Sequence, residues 1–371
     1  MFDRRTHIPL LRPFFLSIAI VLFVAPLLHA QAQIKVGDNI VIRFGVLAQG
    51  WADTAQDATT KKYANNLFIR RIRFLVGGQI SPNVSFFYET DNPNLGKATT
   101  AGTTTTKTIS SGFITQDAFL EWKPTGSNAF MIDGGLMLPP LCRNCLESAA
   151  TLLSLDYGSY SFTESAATQS VVGRDTGFQA KGYLAGGHFE YRGAIFQGFR
   201  ASGSRNSLRT SGRVSYNPWD TESGYVYPGL YLGNKHVLQI GAGFDHQMDY
   251  KALSVDGFLS QPMGKNAINA ELTLLSFDGG KTFSAIPEQK AYTAQAGYYF
   301  AGPKMQPWLR LENQDFKASA NNFRDNKRQS VGLTWLPSGN NFNIKGAYSR
   351  VDPRVGNKTN EYTVQMQFFY Y

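Results

Sequence analysis

Two cysteines in 371 residues, Cys142 and Cys145, and only five histidines leave little from which to build a metal centre or a disulfide-stapled fold. Zinc on the cysteine pair would need two further ligands, and beyond residue 32 the chain offers only His188, His236 and His246, far apart in sequence. No Gly-x-Ser-x-Gly elbow occurs, and no thioredoxin-like βαβ context surrounds the Cys-x-x-Cys pair, so the usual marks of a serine hydrolase or a dithiol oxidoreductase are missing. No Pro- or Ser-rich linker divides the chain into two compositions, which points to one large domain. Past the N-terminus no apolar run approaches the roughly 20 residues that a membrane-spanning helix requires. If this chain sits in a membrane, it must do so as strands.

What is present begins with an export signature. Arg4, Arg5 and Arg12 precede an apolar stretch from Phe14 to Leu28, and Ala30-x-Ala32 follows with the small side chains that signal peptidase accepts. Residues 1–32 are therefore expected to be a signal peptide, and residues 33–371 the mature protein. Losing three arginines and Asp3 lowers the formal charge from +9 to +7. A basic exported chain suits an acidic surface or an anionic solute, and export argues against nucleic acid as a partner.

The dominant pattern is period two. Ile40, Ile42, Phe44, Val46 and Ala48 alternate with Val41, Arg43, Gly45, Leu47 and Gln49, and Phe189, Tyr191 and Ile195 oppose His188, Glu190 and Arg192. Near the C-terminus Tyr362, Val364, Met366, Phe368 and Tyr370 stand against Glu361, Thr363, Gln365 and Gln367. Turn signals such as Ser81-Pro82-Asn83, Ala185-Gly186-Gly187 and Pro337-Ser338-Gly339-Asn340 separate the segments. The count is about sixteen strands with short turns alternating with long loops, which predicts an all-β, antiparallel transmembrane barrel of the outer membrane. One connection breaks the rhythm: Asn217 to Lys235 is long where a short turn is due. Either an extra element sits there or the strand count is off locally. A secreted β-sandwich would also alternate, but its polar face would look outward. The end "QFFYY" resembles the terminal signal read by outer-membrane assembly machinery, although Tyr371 falls out of phase with the apolar stripe.

Three arginines stand inside one apolar strand, "FIRRIRFLVGG" at 68–78. Alternation turns Arg71 and Arg73 toward a water-filled lumen and Ile72, Phe74 and Val76 toward lipid, because an arginine at mid-bilayer on the lipid face costs about 2–4 kcal/mol. Arg70 shares the lipid phase, which demands a place near the rim, snorkelling, or a bulge that re-aims it. Two readings of Arg71 and Arg73 stand together: a specific anion site, or charges that solvate the wall and pair with acids such as Glu89 and Asp91.

"FIRRIRFLVGGQISPNVSFFYETD", "DAFLEWKP", "MIDGGLMLPP", "GRDTGFQAKGYLAGGHFEYRGAIFQG" and "GFDHQMDYKALSVDGFLS" together resemble successive strands of the phosphate-selective porin O and P family, over most of residues 38–371. The resemblance implies a sixteen-stranded barrel, trimeric, through which small solutes diffuse, with inward basic groups attracting anions such as phosphate. Its Arg-Arg pair falls on Arg70 and Arg71. Other basic residues on the lumenal phase are Arg43, Lys123, Lys181, Arg192, Arg209, Arg213, Arg310, Arg328 and Lys345. The same phase carries Glu89, Asp91, Asp117, Glu121, Asp133, Asp175, Glu190, Asp245, Glu271 and Glu312, so the expected lining is mixed. The longest loop, Pro139 to Val172, is expected to fold inward as the constriction. It holds Cys142 and Cys145, read as a small loop disulfide, with free thiols as the alternative.

The expected function is passive diffusion of small solutes with a preference for anions, with no catalytic residue and no cofactor. Two rivals are a receptor or adhesin that uses loops such as the threonine-rich Asn92 to Ser111, and a barrel hydrolase built around His246 and Ser254 or Ser276. For the threonine run itself the simpler expectation is a solvated loop.

Overall fold

The structure, a computed structural model, describes residues 32–36, 40–101, 104–107, 109, 112–170, 172–204 and 206–371. The expected leader lies outside them apart from Ala32.

Sixteen antiparallel strands close into a barrel. They are β1 (Ile40–Gln56), β2 (Tyr63–Ser81), β3 (Val84–Asp91), β4 (Ile114–Trp122), β5 (Met131–Met137), β6 (Asp175–Leu184), β7 (Phe189–Phe196), β8 (Arg209–Tyr216), β9 (Val237–Gln247), β10 (Tyr250–Met263), β11 (Asn266–Asp278), β12 (Gln289–Tyr299), β13 (Met305–Phe316), β14 (Asn326–Trp335), β15 (Phe342–Pro353) and β16 (Thr359–Tyr370). Each strand pairs with the next in sequence, and β16 returns to β1 with Gln367 opposite Gln49, so no edge is left open in the ring. A short strand, Ala32–Val36, pairs with the start of β1. Two-residue turns at Pro82-Asn83 and Gly264-Lys265 sit at the end of the barrel that carries the C-terminus, and Gly264 adopts φ 66°, which a side chain would oppose.

The alternation puts grease outside. Phe44, Ile195, Val214, Leu253, Leu274, Val331, Val364 and Phe368 are exposed on the outer wall, while Gln49, Asn269, Thr273, Gln306, Thr334 and Gln367 are buried inside. This inversion answers the sandwich alternative, since a sandwich would bury its apolar face. Strands β3–β8 run seven to ten residues and β9–β16 ten to fourteen, so one side of the wall is lower than the other.

The β5–β6 connection, residues 138–174, lies inside the barrel. Leu141, Cys142, Cys145 and Tyr160 pack there against Tyr250, Leu275 and Phe277 of the wall, and the two cysteine sulfurs are bonded to each other. The wall is shaped to receive this loop. Gly243 on the inner face of β9 has no Cβ, which would lie 2.0 Å from the Leu141 carbonyl oxygen, and the Ser254 hydroxyl donates to that same oxygen at 2.5 Å.

Three sequence expectations gain detail. The strand count holds, and the long 217–236 connection is a turn folded into the barrel from the end opposite the loop, where Tyr227 and Leu230 are enclosed and Tyr225 is partly buried. Within the threonine-rich segment Ala98–Ala101 pairs with Thr104–Lys107 as a two-stranded ribbon, on which Thr99, Thr105, Thr106 and Lys107 are exposed. Tyr371, out of phase with the lipid stripe, packs inward: its ring meets Phe87 edge-on at 5.9 Å and fills the space above Gly45 and Gly77.

Candidate functional site

A local irregularity in β2 builds the site. The register between β1 and β2 shifts after Gln49, with Gln49 opposite Arg71 and Gly50 opposite Ile69, so Arg70 is the extra residue of a bulge. A bulge reverses the in–out phase, and Arg70 and Arg71 consequently both point inward. Phe68 is buried inside on one side of the shift and Arg71, Arg73 and Leu75 on the other. Of the three ways to accommodate Arg70, the chain uses the bulge.

Both guanidinium groups converge on one loop carboxylate. Arg70 Nε donates to Asp156 Oδ2 at 2.9 Å and Arg71 Nη2 to Asp156 Oδ1 at 2.6 Å, while Arg71 Nη1 reaches Gln49 Oε1 at 2.8 Å. Burial alone would raise the Asp156 carboxyl, but the two arginines and the Arg71 hydrogen bond outweigh it and hold the group well below the usual carboxylate range. Arg73 pairs with Glu89 at 2.5 Å and Asp91 at 3.0 Å, so the wall-acid reading describes Arg73, whereas the partner of Arg71 comes from the inward loop. Arg70 lies over Trp51 at 5.5 Å and Arg71 over Tyr157 at 5.4 Å.

Opposite them Arg310 donates to Ser154 Oγ at 3.1 Å and to the Asp156 carbonyl at 2.7 Å, and Arg328 pairs with Glu361. These groups surround a cavity of 550 Å³. Its lining holds six cations (Arg70, Arg71, Arg73, Lys97, Arg310, Arg328) and four carboxylates (Asp53, Asp91, Asp156, Glu361), and two further acids, Glu89 and Glu312, hold Arg73 and Arg310 at 2.5 and 3.1 Å without lining it, so cations and acids balance.

The remaining basic residues expected in the lining do not join this cavity. Lys181 is held by Glu121 and Asp133 at 2.8 and 2.9 Å, Arg192 by Glu190 at 2.7 Å, Arg209 by Asp245 at 2.6 Å and Arg213 by Asp256 at 2.5 Å. Lys345 donates to the loop carbonyls of Leu152 and Ser154, each at 2.6 Å. Arg43 stands exposed near the start of β1, and Lys123 lies just beyond β4, 3.8 Å from Glu121. The physical reason is that a fully buried cation needs a partner or carbonyl dipoles, and these side chains find theirs in the wall and the inward loop. Asp156, Tyr157 and Ser154 were not legible as site residues, because nothing in a loop sequence says which wall residues it will meet.

A family model for the phosphate-selective porin O and P group matches residues 44–229, half of the chain, from β1 through most of the 217–236 turn. No curated protein matches by sequence. Among solved structures, OprB of Pseudomonas putida at high pH superposes with a TM-score of 0.61 at 7% identity, covering 89% of this chain and 94% of that one. The outer membrane channel DcaP of Acinetobacter baumannii gives 0.57 at 10%, covering 91% and 100%, and Salmonella typhi OmpF in complex with daunomycin gives 0.56 at 12% with the same coverage. At such identities the likeness concerns fold alone. The family match, lying across the bulged arginine strand and the inward loop, completes the assignment: this chain belongs to the phosphate-selective porin O and P family and is an outer-membrane porin through which small solutes diffuse passively.

Proposed function

We propose that this porin favours anions, and that the cavity between β2, β13 and the inward loop is where the preference arises. The observation that carries the reading is the convergence of Arg70, Arg71, Arg73, Arg310 and Arg328 on one 550 Å³ space. Each guanidinium is already shared with a carboxylate, a hydroxyl or a carbonyl, so an entering anion exchanges one charge-assisted hydrogen bond for another, which holds it weakly enough to leave. Phosphate, as the family description indicates, is the first anion to test.

The test is the reversal potential of the purified protein in a planar bilayer under a chloride gradient, followed by added phosphate. An anion-favouring potential, with chloride current blocked by phosphate, supports the reading, and Arg71→Ala with Arg73→Ala should move the potential toward zero. A cation-favouring wild type would overturn it.

The reading extends to assembly. The low wall of β3–β8 is short for a hydrocarbon layer of about 25 Å, and burying it against other copies in a homotrimer would relieve that mismatch. The aromatic C-terminal strand β16 suits recognition by the outer-membrane assembly machinery. The bonded Cys142–Cys145 pair serves as a local brace at the turn where the loop first meets the wall.

A further inference from the structure

Two residues suffice to join β2 to β3 and β10 to β11 at the end of the barrel bearing the C-terminus, yet β8 and β9 are joined there by twenty, Asn217 to His236. That turn spans the mouth from one wall to the other. Tyr225 packs against Phe119 with ring centroids 4.5 Å apart and planes tilted by 47° on the β3–β4 side, and Leu232 packs on Ala267, Tyr299 and Leu336 on the far side.

In the middle the turn joins the inward loop. Ser148 N donates to the Tyr227 carbonyl at 2.9 Å and Tyr227 N to the Leu146 carbonyl at 2.8 Å, a parallel bridge between segments that enter from opposite ends. Beside it Arg143 of the loop makes two bonds to Glu222 of the turn, at 2.7 and 2.9 Å, with the arginine completely buried and the glutamate nearly so. Arg143 also donates to the Pro228 carbonyl at 3.0 Å, and its guanidinium lies over Phe258 at 3.7 Å. On the other flank the loop is sealed to β1, β15 and β16, through Gln49 to the Ala149 carbonyl at 3.0 Å, Lys345 to Leu152 and Gln367 to the Ala150 carbonyl at 2.8 Å. Between them the two segments touch the wall at β4, at β11, β12 and the end of β14, and at β1, β15 and β16.

We propose that the 217–236 turn is the second half of the pore's constriction: it clasps the inward loop through Glu222 on Arg143, and the clasped pair holds the lumen in a low-conductance state. Glu222 and Arg143 are positioning residues, acting on passage through the loop they hold. A buried ion pair of this kind is stable while both partners stay and unstable when one is removed, so the clasp is a point at which the constriction can be released. Ordering twenty residues at a place where two would join the strands has a large entropic cost, offset here by their burial against the loop and both walls.

The test is single-channel conductance of the full-length protein in planar bilayers, for wild type, Glu222→Gln, and a short-turn variant in which residues 219–234 are replaced by Asn-Gly, leaving a connection of six residues. Heat-modifiable gel migration confirms that each barrel is folded. The expected result is a rise of threefold or more with the short turn, and a smaller rise or frequent transitions to the larger step with Glu222→Gln, which keeps the side chain's shape and removes its charge. A folded short-turn variant with wild-type conductance would overturn the proposal, and a wild-type response of Glu222→Gln beside a raised short-turn conductance would overturn the clasp. If Glu222→Gln does not fold, the short-turn variant decides alone, and if that one fails, limited proteolysis of wild type decides: cleavage within the turn must raise conductance. These readouts are sizes of steps, independent of the sign of the reversal potential that tests the anion reading.

Discussion

At the residue scale the inside of this barrel is a set of charges each held by an opposite charge or a dipole. Glu164 of the inward loop shows what happens when the pairing is incomplete. It is buried 3.8 Å from Arg209, one of its oxygens has no hydrogen-bond partner, and Asp245 lies near enough to oppose its ionisation. Burial pushes its carboxyl up to about 7, against an ordinary value of 4.5. Because the folded value is raised, docking of this part of the loop is fully supported below pH 4.5 and loses that support as pH rises through about 7, with no further change above. Hydrogen exchange at residues 160–170, corrected for intrinsic rates, should therefore speed up between pH 5 and 8, and Glu164→Gln should flatten the profile. The other residue-scale lesson is Arg70. Alternation alone assigns it to lipid, and only the one-residue bulge brings it beside Arg71.

At the element scale the inward loop is held by the shape of the strands as much as by its own sequence. Gly241 and Gly243 lie on the inner face of β9, the first leaving room for the Arg213 guanidinium and the second for the Leu141 carbonyl. Gly243→Ala places a methyl against backbone on both sides, so the first turn of the loop has to lift. An overpacking cost of about 1–3 kcal/mol is expected. It should be read as faster amide exchange from Leu141 to Leu146 and a larger single-channel step, with barrel migration on gels unchanged. The strands themselves were legible in the sequence, because period two with turn signals is a local property and every strand carries it. That the longest loop turns inward was expected, but the wall residues it meets were not legible, since Asp156 meets Arg70 and Arg71 across some 85 positions of chain and no local pattern encodes the meeting.

At the scale of the whole molecule the wall is uneven and the lumen is filled from both ends. On the low side Phe178 projects from β6 with 70% of its surface exposed, its ring lying over Gly134, where a Cβ would come within 3.0 Å of it. A trimer that buries this side should lose its oligomer band on mild-detergent gels when Phe178 becomes Glu, while a monomer contacting only lipid there should show slower insertion and an unchanged oligomeric state. The sequence did mark the turn from Asn217 to Lys235 as too long for its place, but length carries no direction, and its return into the barrel was invisible.

By itself the sequence determined that this is an exported, basic, all-β chain whose strands are greasy on one face and polar on the other, and hence a barrel with charge inside. That much follows from period two and from the cost of charge in lipid. Tertiary structure alone decided which charges meet. The bulge that re-aims Arg70, the gathering of Arg310 and Arg328 with the β2 arginines around a loop carboxylate, and the clasp of Glu222 on Arg143 all depend on registers and crossings that bring together residues far apart along the chain.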